Sequence, residues 1–274
     1  MDTARSCTLE ALADSAALLA GDLPTRPAVP ADIRDKEPHD YVTDLDLRVE
    51  RAIADRIRAS FPADAIAGEE IFDAPDTVRR WIVDPVDGTR NLVAGRPDIA
   101  VCIGLYEGRR GLVGGIGLPC RGLALLASAD RPGATLHAGD AAVPLARLGA
   151  GPLDRALVGL PGALQPGHGA ATIRALAGEL AGRVEGLRIS GALGYDLALI
   201  ALGELDARVS LAAKPVDVAA GVVIIEQLGG VVTDVEGRRY QLGRRGLIAA
   251  RSPEIHAGVL EALQRARSTG ASAG

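Results

Sequence analysis

The sequence predicts an α/β protein in two parts, an α+β half over residues 1–140 and an α/β half over residues 141–274. The first half has a clear amphipathic helix followed by short apolar runs that Gly and Arg interrupt, which is typical of strands. From Ala156 onward, strand-like runs alternate with helical patterns, which is typical of an α/β unit. The length of 274 residues is compatible with two such parts, because a domain usually has about 100–200 residues.

Two helices and four strands are predicted in the first half. Apolar residues at helical spacing predict a helix over residues 8–20, which Gly21 and Pro24 end. Over residues 45–59 an apolar residue recurs at every fourth position, which predicts an amphipathic helix. The predicted strands are residues 81–83, 99–106, 112–118 and 123–127, and residues 107–111 form a hairpin connection. Residues 130–145 are rich in turn formers and contain the boundary between the halves.

The second half is predicted to contain helices separated by short strands. The predicted helices are residues 168–180, 194–202 and 217–228, with a last helix that Ser252 and Pro253 begin. The predicted strands are residues 158–160 and 231–233. Residues 267–274 are expected to form a frayed tail.

Charge and composition exclude several classes of protein. The net charge of −5 and the lack of a basic block argue against a nucleic acid polymer as partner, and 3% aromatic residues provide few platforms for stacking bases. No run of 18 apolar residues occurs, and the acidic N-terminal segment does not resemble a signal peptide, so we expect no membrane contact. Cys7, Cys102 and Cys120 form no C-x-x-C pair and are expected to be core or bystander thiols in a reducing compartment. We therefore expect a cytoplasmic protein.

The most informative segment reads WIVDPVDGTRN over residues 81–91, where a short buried strand ends in a carboxylate. Asp84, Asp87 and the Val86 carbonyl can offer oxygen ligands from one kinked loop, as a hard cation such as Mg²⁺ prefers. The Gly88 and Thr89 amides begin a helix and can bind a phosphate group. The alternative is an ordinary turn of Asp, Pro and Gly residues.

Two acidic segments lie upstream of this turn. Gly68 precedes the adjacent acids Glu69 and Glu70, which taken alone are typical of a solvated loop. Residues 40–46 place three acids and a Thr before the amphipathic helix, where Asp46 can also serve as a helix cap.

Taken together, these segments resemble the inositol monophosphatase superfamily of metal-dependent phosphatases, which includes fructose-1,6-bisphosphatases and 3′-nucleotidases. A fourth element supports the resemblance, because residues 214–221 read KPVDVAAG where the family has an Asp at the head of a helix. The similarity runs from about residue 36 to residue 263 and is weakest over residues 130–187. It implies a layered αβαβα sandwich whose site lies between the two halves.

The resemblance also implies a set of metal ligands and the residues that activate water. Two to three Mg²⁺ ions are implied, with Mn²⁺ as an alternative ion. Their ligands would be Glu69, Asp84, the Val86 carbonyl, Asp87 and Asp217. Most of them belong to the first half, and Asp217 belongs to the second.

Asp46 and Thr89 would orient the attacking water, and Glu70 is a further candidate catalytic residue. The four histidines lie outside all these segments and are not expected to be catalytic. They are His39, His137, His168 and His256.

Substrate-binding residues are predicted from the same resemblance. They are Lys36, Gly88, Thr89, Ser190, Gly191, Ala192 and Ser210. Lys36 matches a family lysine, and residues 190–192 form a loop that enters a helix and can donate amides to hydroxyls or phosphate. Ser210 stands where animal inositol phosphatases have a Glu that contacts inositol hydroxyls, which leaves the identity of the substrate open.

The predicted function is a Mg²⁺-dependent phosphomonoesterase that hydrolyses a small phosphorylated polyol, sugar or inositol by metal-activated water. Alternatives within the family are a 3′(2′)-nucleotide bisphosphate phosphatase and a fructose-1,6-bisphosphatase. Because Ile71 and Val216 also depart from the family pattern, an inactive member that only binds a phosphorylated ligand is a further alternative. The resemblance also predicts a homodimer.

Overall fold

The structure is a computed structural model that describes residues 1–22, 34–37, 40–71, 78–162 and 169–270. Seven α-helices occur in these ranges. They are α1 (Asp2–Asp22), α2 (Asp44–Ser60), α3 (Thr89–Val93), α4 (Ala170–Leu180), α5 (Leu193–Leu202), α6 (Pro215–Gln227) and α7 (Pro253–Gly270). No helix in the described ranges is both long enough and apolar enough to span a membrane.

A large sheet of seven strands carries most of the first half. Its strands, in spatial order, are β3 (Ala65–Gly68), β4 (Arg79–Asp87), β5 (Ala100–Glu107), β6 (Arg110–Leu118), β7 (Leu123–Ser128), β8 (Arg131–Ala138) and β9 (Ala141–Pro144). β3 pairs with β4 in parallel, and every later pair is antiparallel. Two shorter strands, β1 (Arg34–Glu37) and β2 (Asp40–Val42), pair with each other.

A smaller sheet of five strands carries the second half. Its spatial order is β11 (Gly186–Arg188), β10 (Leu157–Gly159), β12 (Ala207–Ser210), β14 (Leu247–Ala250) and β13 (Val231–Thr233). The first three strands of this order are parallel, and the last two pairs are antiparallel.

The layers follow from three apolar clusters. One cluster joins α1 and α2 to one face of the large sheet. A second joins α5 and α6 to both sheets, and a third joins α4 and α7 to the outer face of the small sheet. The arrangement is the αβαβα sandwich that the sequence predicted. The large sheet extends to Pro144, and the division into two halves at residue 140 stays a prediction.

Small residues let α6 approach the large sheet closely. Gly104 and Gly114 are paired across β5 and β6. A Cβ atom on Gly104 would lie 2.8 Å from the Ala219 Cβ, and one on Gly114 would lie 2.3 Å from the Ala220 carbonyl oxygen. Any side chain at either glycine would push α6 away from the sheet. This close packing places the N-terminal end of α6 near the end of β4.

Most predicted elements are confirmed within a few residues, two expectations are wrong and a buried strand was not predicted. The turn-rich segment 130–145 contains β8 and β9. The apolar alternation in β8 is limited to residues 134–138, between the turn formers Pro132, Gly133 and Gly139, and β9 is exposed throughout. Strand β12 was missed because it places Arg208 in a buried position. The last helix continues to Gly270, beyond the start of the expected tail.

Candidate functional site

The end of β4 forms an irregular turn that presents oxygen atoms on one side. The pairing with β5 is regular as far as Asp84 and Cys102 and resumes only at Asp87 and Ala100. Between them the Val86 N–H donates a 3.1 Å hydrogen bond to Oδ1 of Asp84. Pro85 has no N–H to donate, so the ladder is interrupted where the strand must bend.

Gly88 completes this turn and begins α3. Its φ of +93° is a left-handed conformation, and a Cβ atom there would lie 2.9 Å from the Asp98 carbonyl oxygen. Only glycine meets both conditions without strain.

A cavity of about 460 Å³ opens above the turn. It brings together nine of the residues predicted for the site, which are Glu69, Asp84, Val86, Asp87, Gly88, Thr89, Ser190, Gly191 and Asp217. Arg90, Asn91, Gly162 and Ile189 complete its lining. Residues from five separate parts of the chain therefore meet at one place.

Asp87 connects β4 to the start of α5. Its Oδ1 accepts a 3.0 Å hydrogen bond from the Leu193 N–H, and its Oδ2 accepts a 2.6 Å hydrogen bond from the Tyr195 N–H. These amides belong to the first turn of α5, where N–H groups have no acceptor within the helix. Asp87 is thus held in a fixed orientation at the base of the cavity.

Asp46 is both a helix-capping residue and a partner of Thr89. Thr43 is the N-cap of α2, and its N–H donates to Oδ2 of Asp46 over 2.9 Å. The Thr89 hydroxyl lies 2.9 Å from Oδ1 of Asp46 and 3.1 Å from the Val86 carbonyl oxygen. Capping, the simpler explanation offered for Asp46, is therefore correct but incomplete, since the same carboxylate also reaches the lining of the cavity.

Glu50, which the sequence analysis did not identify, holds the acidic loop in place. Its carboxylate accepts hydrogen bonds from the N–H groups of Glu70 and Ile71, at 2.8 and 2.9 Å. A Cβ atom on Gly68 would lie 1.8 Å from this carboxylate, which explains the glycine before the two acids. The signal in the sequence was a Glu next to Val49 in the apolar stripe of α2. The Glu70 side chain is outside the residues that line the cavity.

Lys214 is a second residue that was missed. Its N–H donates a 2.9 Å hydrogen bond to Oδ2 of Asp217, and its Nζ lies 2.9 Å from Oε1 of Glu69. It therefore joins the acidic loop to the first turn of α6. Lys214 is one of only two lysines in the chain, and this could have identified it.

The carboxylates form a region of concentrated negative charge. Burial, together with the neighbouring Glu69 and Asp87, raises the pKa of Asp84 well above its usual range. Burial and Asp217 likewise raise the pKa of Asp87, against the opposing effect of its two amide donors. Burial also raises the pKa of Asp46. Cations bound nearby would relieve this repulsion.

The donor set suits a hard divalent cation, since it consists of carboxylate and carbonyl oxygens. Among the described residues, no three His, Cys, Asp or Glu side chains are gathered tightly enough to chelate one ion as they stand. The carboxylates are instead turned toward protein donors, as Glu69 is toward Lys214. Binding an ion would therefore require some of them to exchange these partners.

The loop before α5 forms the opposite wall of the cavity. The Ser190 carbonyl accepts a 2.9 Å hydrogen bond from Nδ2 of Asn91, which ties this loop to α3. Ser190 Oγ accepts a 3.1 Å hydrogen bond from the Ala192 N–H, and Ala192 itself is buried outside the lining. Ile189 is 62% exposed and offers an apolar surface at the rim.

Two further predicted residues are not brought to this cavity by the described side chains. Ser210 is buried at the end of β12 and is outside the lining. Lys36 lies on β1, and its side chain is outside the described part of the structure. An ion pair on the same strand as Ser210 was not predicted either. In it, Arg208 Nε lies 2.7 Å from Oδ2 of Asp196, and both side chains are buried.

Comparison with known proteins agrees with the geometry. A sequence model of the inositol monophosphatase family matches residues 2–268. The chain is 31% identical over 235 residues to an inositol-1-monophosphatase of Bacillus subtilis, which covers 84% of this chain and 86% of the relative. It is 30% identical over 241 residues to the Nus factor SuhB of Escherichia coli, covering 87% of each. The solved structure of an IMPase from Thermotoga maritima superimposes with a TM-score of 0.84 and 25% identity, covering 98% of this chain and 100% of that one.

Proposed function

Because the chain belongs to the inositol monophosphatase family, whose members hydrolyse phosphate monoesters, we propose that it is a Mg²⁺-dependent phosphatase of a small polyol, sugar or inositol phosphate. The observation that carries the proposal is the convergence of Glu69, Asp84, Asp87 and Asp217 on one cavity beside Thr89. Asp84 and Asp87 are buried and Glu69 and Asp217 are partly buried, and such a group of carboxylates is costly unless cations accompany it.

The proposed metal ligands are the four carboxylates and the Val86 carbonyl. When bound, divalent cations would neutralise charge on the phosphate and lower the pKa of water. The Val86 carbonyl belongs to the same turn as Asp84 and Asp87, so β4 would contribute three ligands. Lys214 would release Glu69 as the cation takes its place.

Asp46 and Thr89 are proposed to orient the attacking water. When the Thr89 hydroxyl donates its hydrogen bond to Oδ1 of Asp46, its lone pairs are free to accept a hydrogen bond from water. The buried Asp46 carboxylate, which Thr43 holds in place, is the fixed acceptor at the end of this series of hydrogen bonds. Glu70 contributes through its amide, which positions the loop on Glu50.

The wall formed by residues 189–191 is proposed to contact the leaving alcohol. Ile189 offers an apolar surface, and the Ser190 and Gly191 backbone lies beside it. None of the described residues that line the cavity is aromatic, which favours a polyol or sugar over a nucleotide. We keep the nucleotide bisphosphate and fructose-1,6-bisphosphate reactions as alternatives. By similarity to the family, we also propose that the protein is located in the cytoplasm and forms a homodimer.

The test is phosphate release from a panel of inositol phosphates, sugar phosphates, fructose-1,6-bisphosphate and 3′-phosphorylated adenosine nucleotides, with Mg²⁺ and with EDTA. We expect one strong substrate among the polyol and sugar phosphates, and loss of turnover in EDTA. Asp84→Asn should abolish turnover, whereas Asp64→Asn, a carboxylate outside the cavity, serves as the control. Full activity of Asp84→Asn would overturn the mechanism. If Mg²⁺ binds but no compound of the panel is hydrolysed, the result would favour the inactive, ligand-binding alternative.

A further inference from the structure

Two adjoining cavities lie beside α6 and the loop before β14. Their volumes are about 410 and 550 Å³, and they share Arg109, Gln241 and Leu242. Glu226, in the last turn of α6, lines the first of them. The second reaches Leu211 and Arg245, nearer the start of α6. We call the pair the arginine cavity, and it shares no lining residue with the candidate active site.

Six arginines line the arginine cavity. They are Arg109, Arg110, Arg239, Arg244, Arg245 and Arg267. Only three acids line it with them, and each acid is within ion-pair distance of one of these arginines. Glu226 lies 3.3 Å from Arg239, Asp234 lies 3.2 Å from Arg244, and Glu236 lies 3.4 Å from Arg267.

The other three arginines have no acidic partner among the described residues. Arg109 donates only to the neutral Gln241 amide oxygen, at 2.9 Å, and this bond joins the β5–β6 hairpin to the loop before β14. Arg110 and Arg245 are exposed on the same two segments. A net positive region on a chain of net charge −5 indicates a local function for the charge, since a solvated surface needs no such concentration.

We propose that the arginine cavity binds a small ligand that carries two or more phosphate groups. Guanidinium groups match phosphate oxygens with paired hydrogen bonds, and three of them remain available. The volumes are those of small-molecule sites. Two adjoining cavities that share Arg109 would place successive phosphates on either side of that residue.

The backbone connects this site to the catalytic cavity. The Ala213 N–H donates a 2.6 Å hydrogen bond to the Arg245 carbonyl. Ala213 precedes Lys214, which contacts both Glu69 and Asp217. A ligand that orders the segment carrying Arg245 would therefore act on the residue next to Lys214.

The test uses inorganic tripolyphosphate as the probe and protein stripped of metal on a chelating resin. Without cations the catalytic cavity is acidic and repels the probe, so this binding measurement does not depend on the proposed function. We expect calorimetric binding at one site that weakens as salt is added. The triple variant Arg109→Ala/Arg110→Ala/Arg245→Ala should bind roughly 100-fold more weakly, at about fivefold for each exposed charge contact.

A matched variant removes three arginines elsewhere on the surface. Arg51→Ala/Arg155→Ala/Arg174→Ala has the same net charge as the test variant and should retain the affinity of the unaltered protein. Equal losses in both variants would overturn the proposal, because they would show attraction by net charge alone. Tighter binding of a 12-nucleotide RNA than of tripolyphosphate, abolished by the test variant, would overturn the small-ligand class.

Hydrogen exchange locates the bound probe. Slower exchange is expected in peptides covering residues 105–112 and 238–248, and at Ala213. Protection confined to residues 84–93 would place the probe in the catalytic cavity and overturn the assignment.

Discussion

The Thr89 hydroxyl lies 2.9 Å from Oδ1 of Asp46, a carboxylate that is almost completely buried at the start of α2. Thr43 holds the other oxygen of the same carboxylate. A helix cap and a cavity-lining hydroxyl thus share one acid, so the start of α2 helps to position the Thr89 hydroxyl.

Thr89→Val should lower kcat about 100-fold or more, because it removes the hydroxyl through which we propose that Asp46 acts on water. Thr89→Ser keeps the hydroxyl and should lose much less. Steady-state phosphate release on the best substrate measures both, with thermal unfolding as the control for folding. A Val variant with the kcat of the unaltered protein would exclude this role for Thr89.

Lys214→Met should tighten Mg²⁺ binding several-fold. The substitution removes a positive charge 2.9 Å from Oε1 of Glu69, so the cation would no longer compete with Lys214 for that oxygen. Calorimetric titration with Mg²⁺ measures the change, and Lys214→Arg, which keeps the charge, is the matched control. Weaker Mg²⁺ binding by Lys214→Met would contradict the proposed exchange of partners.

Arg208→Met should lower the free energy of unfolding by about 3–5 kcal/mol, because it leaves the Asp196 carboxylate buried without its partner. The double variant Arg208→Met/Asp196→Leu should recover most of this loss, since no buried charge remains. Denaturant unfolding of the three proteins gives the comparison. If the single variant unfolds within about 1 kcal/mol of the unaltered protein, Asp196 is better solvated than its burial indicates.

His256 should make the protein less stable as the pH falls below neutrality. Burial lowers the pKa of His256 below its usual value, and its Nε2 lies 2.7 Å from the Thr233 hydroxyl. The unfolded chain then binds the proton more readily than the folded one, so this contribution is complete above the unfolded pKa of about 6.5 and is lost as the pH falls toward the folded pKa. The free energy of unfolding at pH 7.5 and 5.5 measures it.

His256→Asn removes the titrating group and should flatten that part of the pH dependence. His137, whose pKa is also lowered, remains in both proteins, so the difference between them isolates His256. An unchanged slope in the Asn variant would show that other groups cause the loss of stability.

Local signals were enough to predict most helices and strands. The period of apolar residues over 45–59 predicts α2, and the run 231–233 coincides with β13. The turn over residues 84–89 could also be predicted, because Pro and Gly restrict the backbone within a few residues of the two acids. Strands β8 and β9 were not predicted, since Pro132, Gly133 and Gly139 indicate turns and the alternation in β8 covers only residues 134–138.

The sequence by itself determined the order of most helices and strands along the chain and the residue types of the candidate site. Periodicity, turn chemistry and capping suffice for this because they act over a few residues. Only the tertiary structure decided which groups meet. Lys214 and Glu69 are 145 positions apart in the chain, and Glu50 holds the amides of a loop 20 positions away. Arg208 pairs with Asp196 between a strand and a helix, and Arg109 joins Gln241 across the arginine cavity. Contacts of this kind depend on the packing of the sheets around α5 and α6, and no local pattern in the chain encodes them.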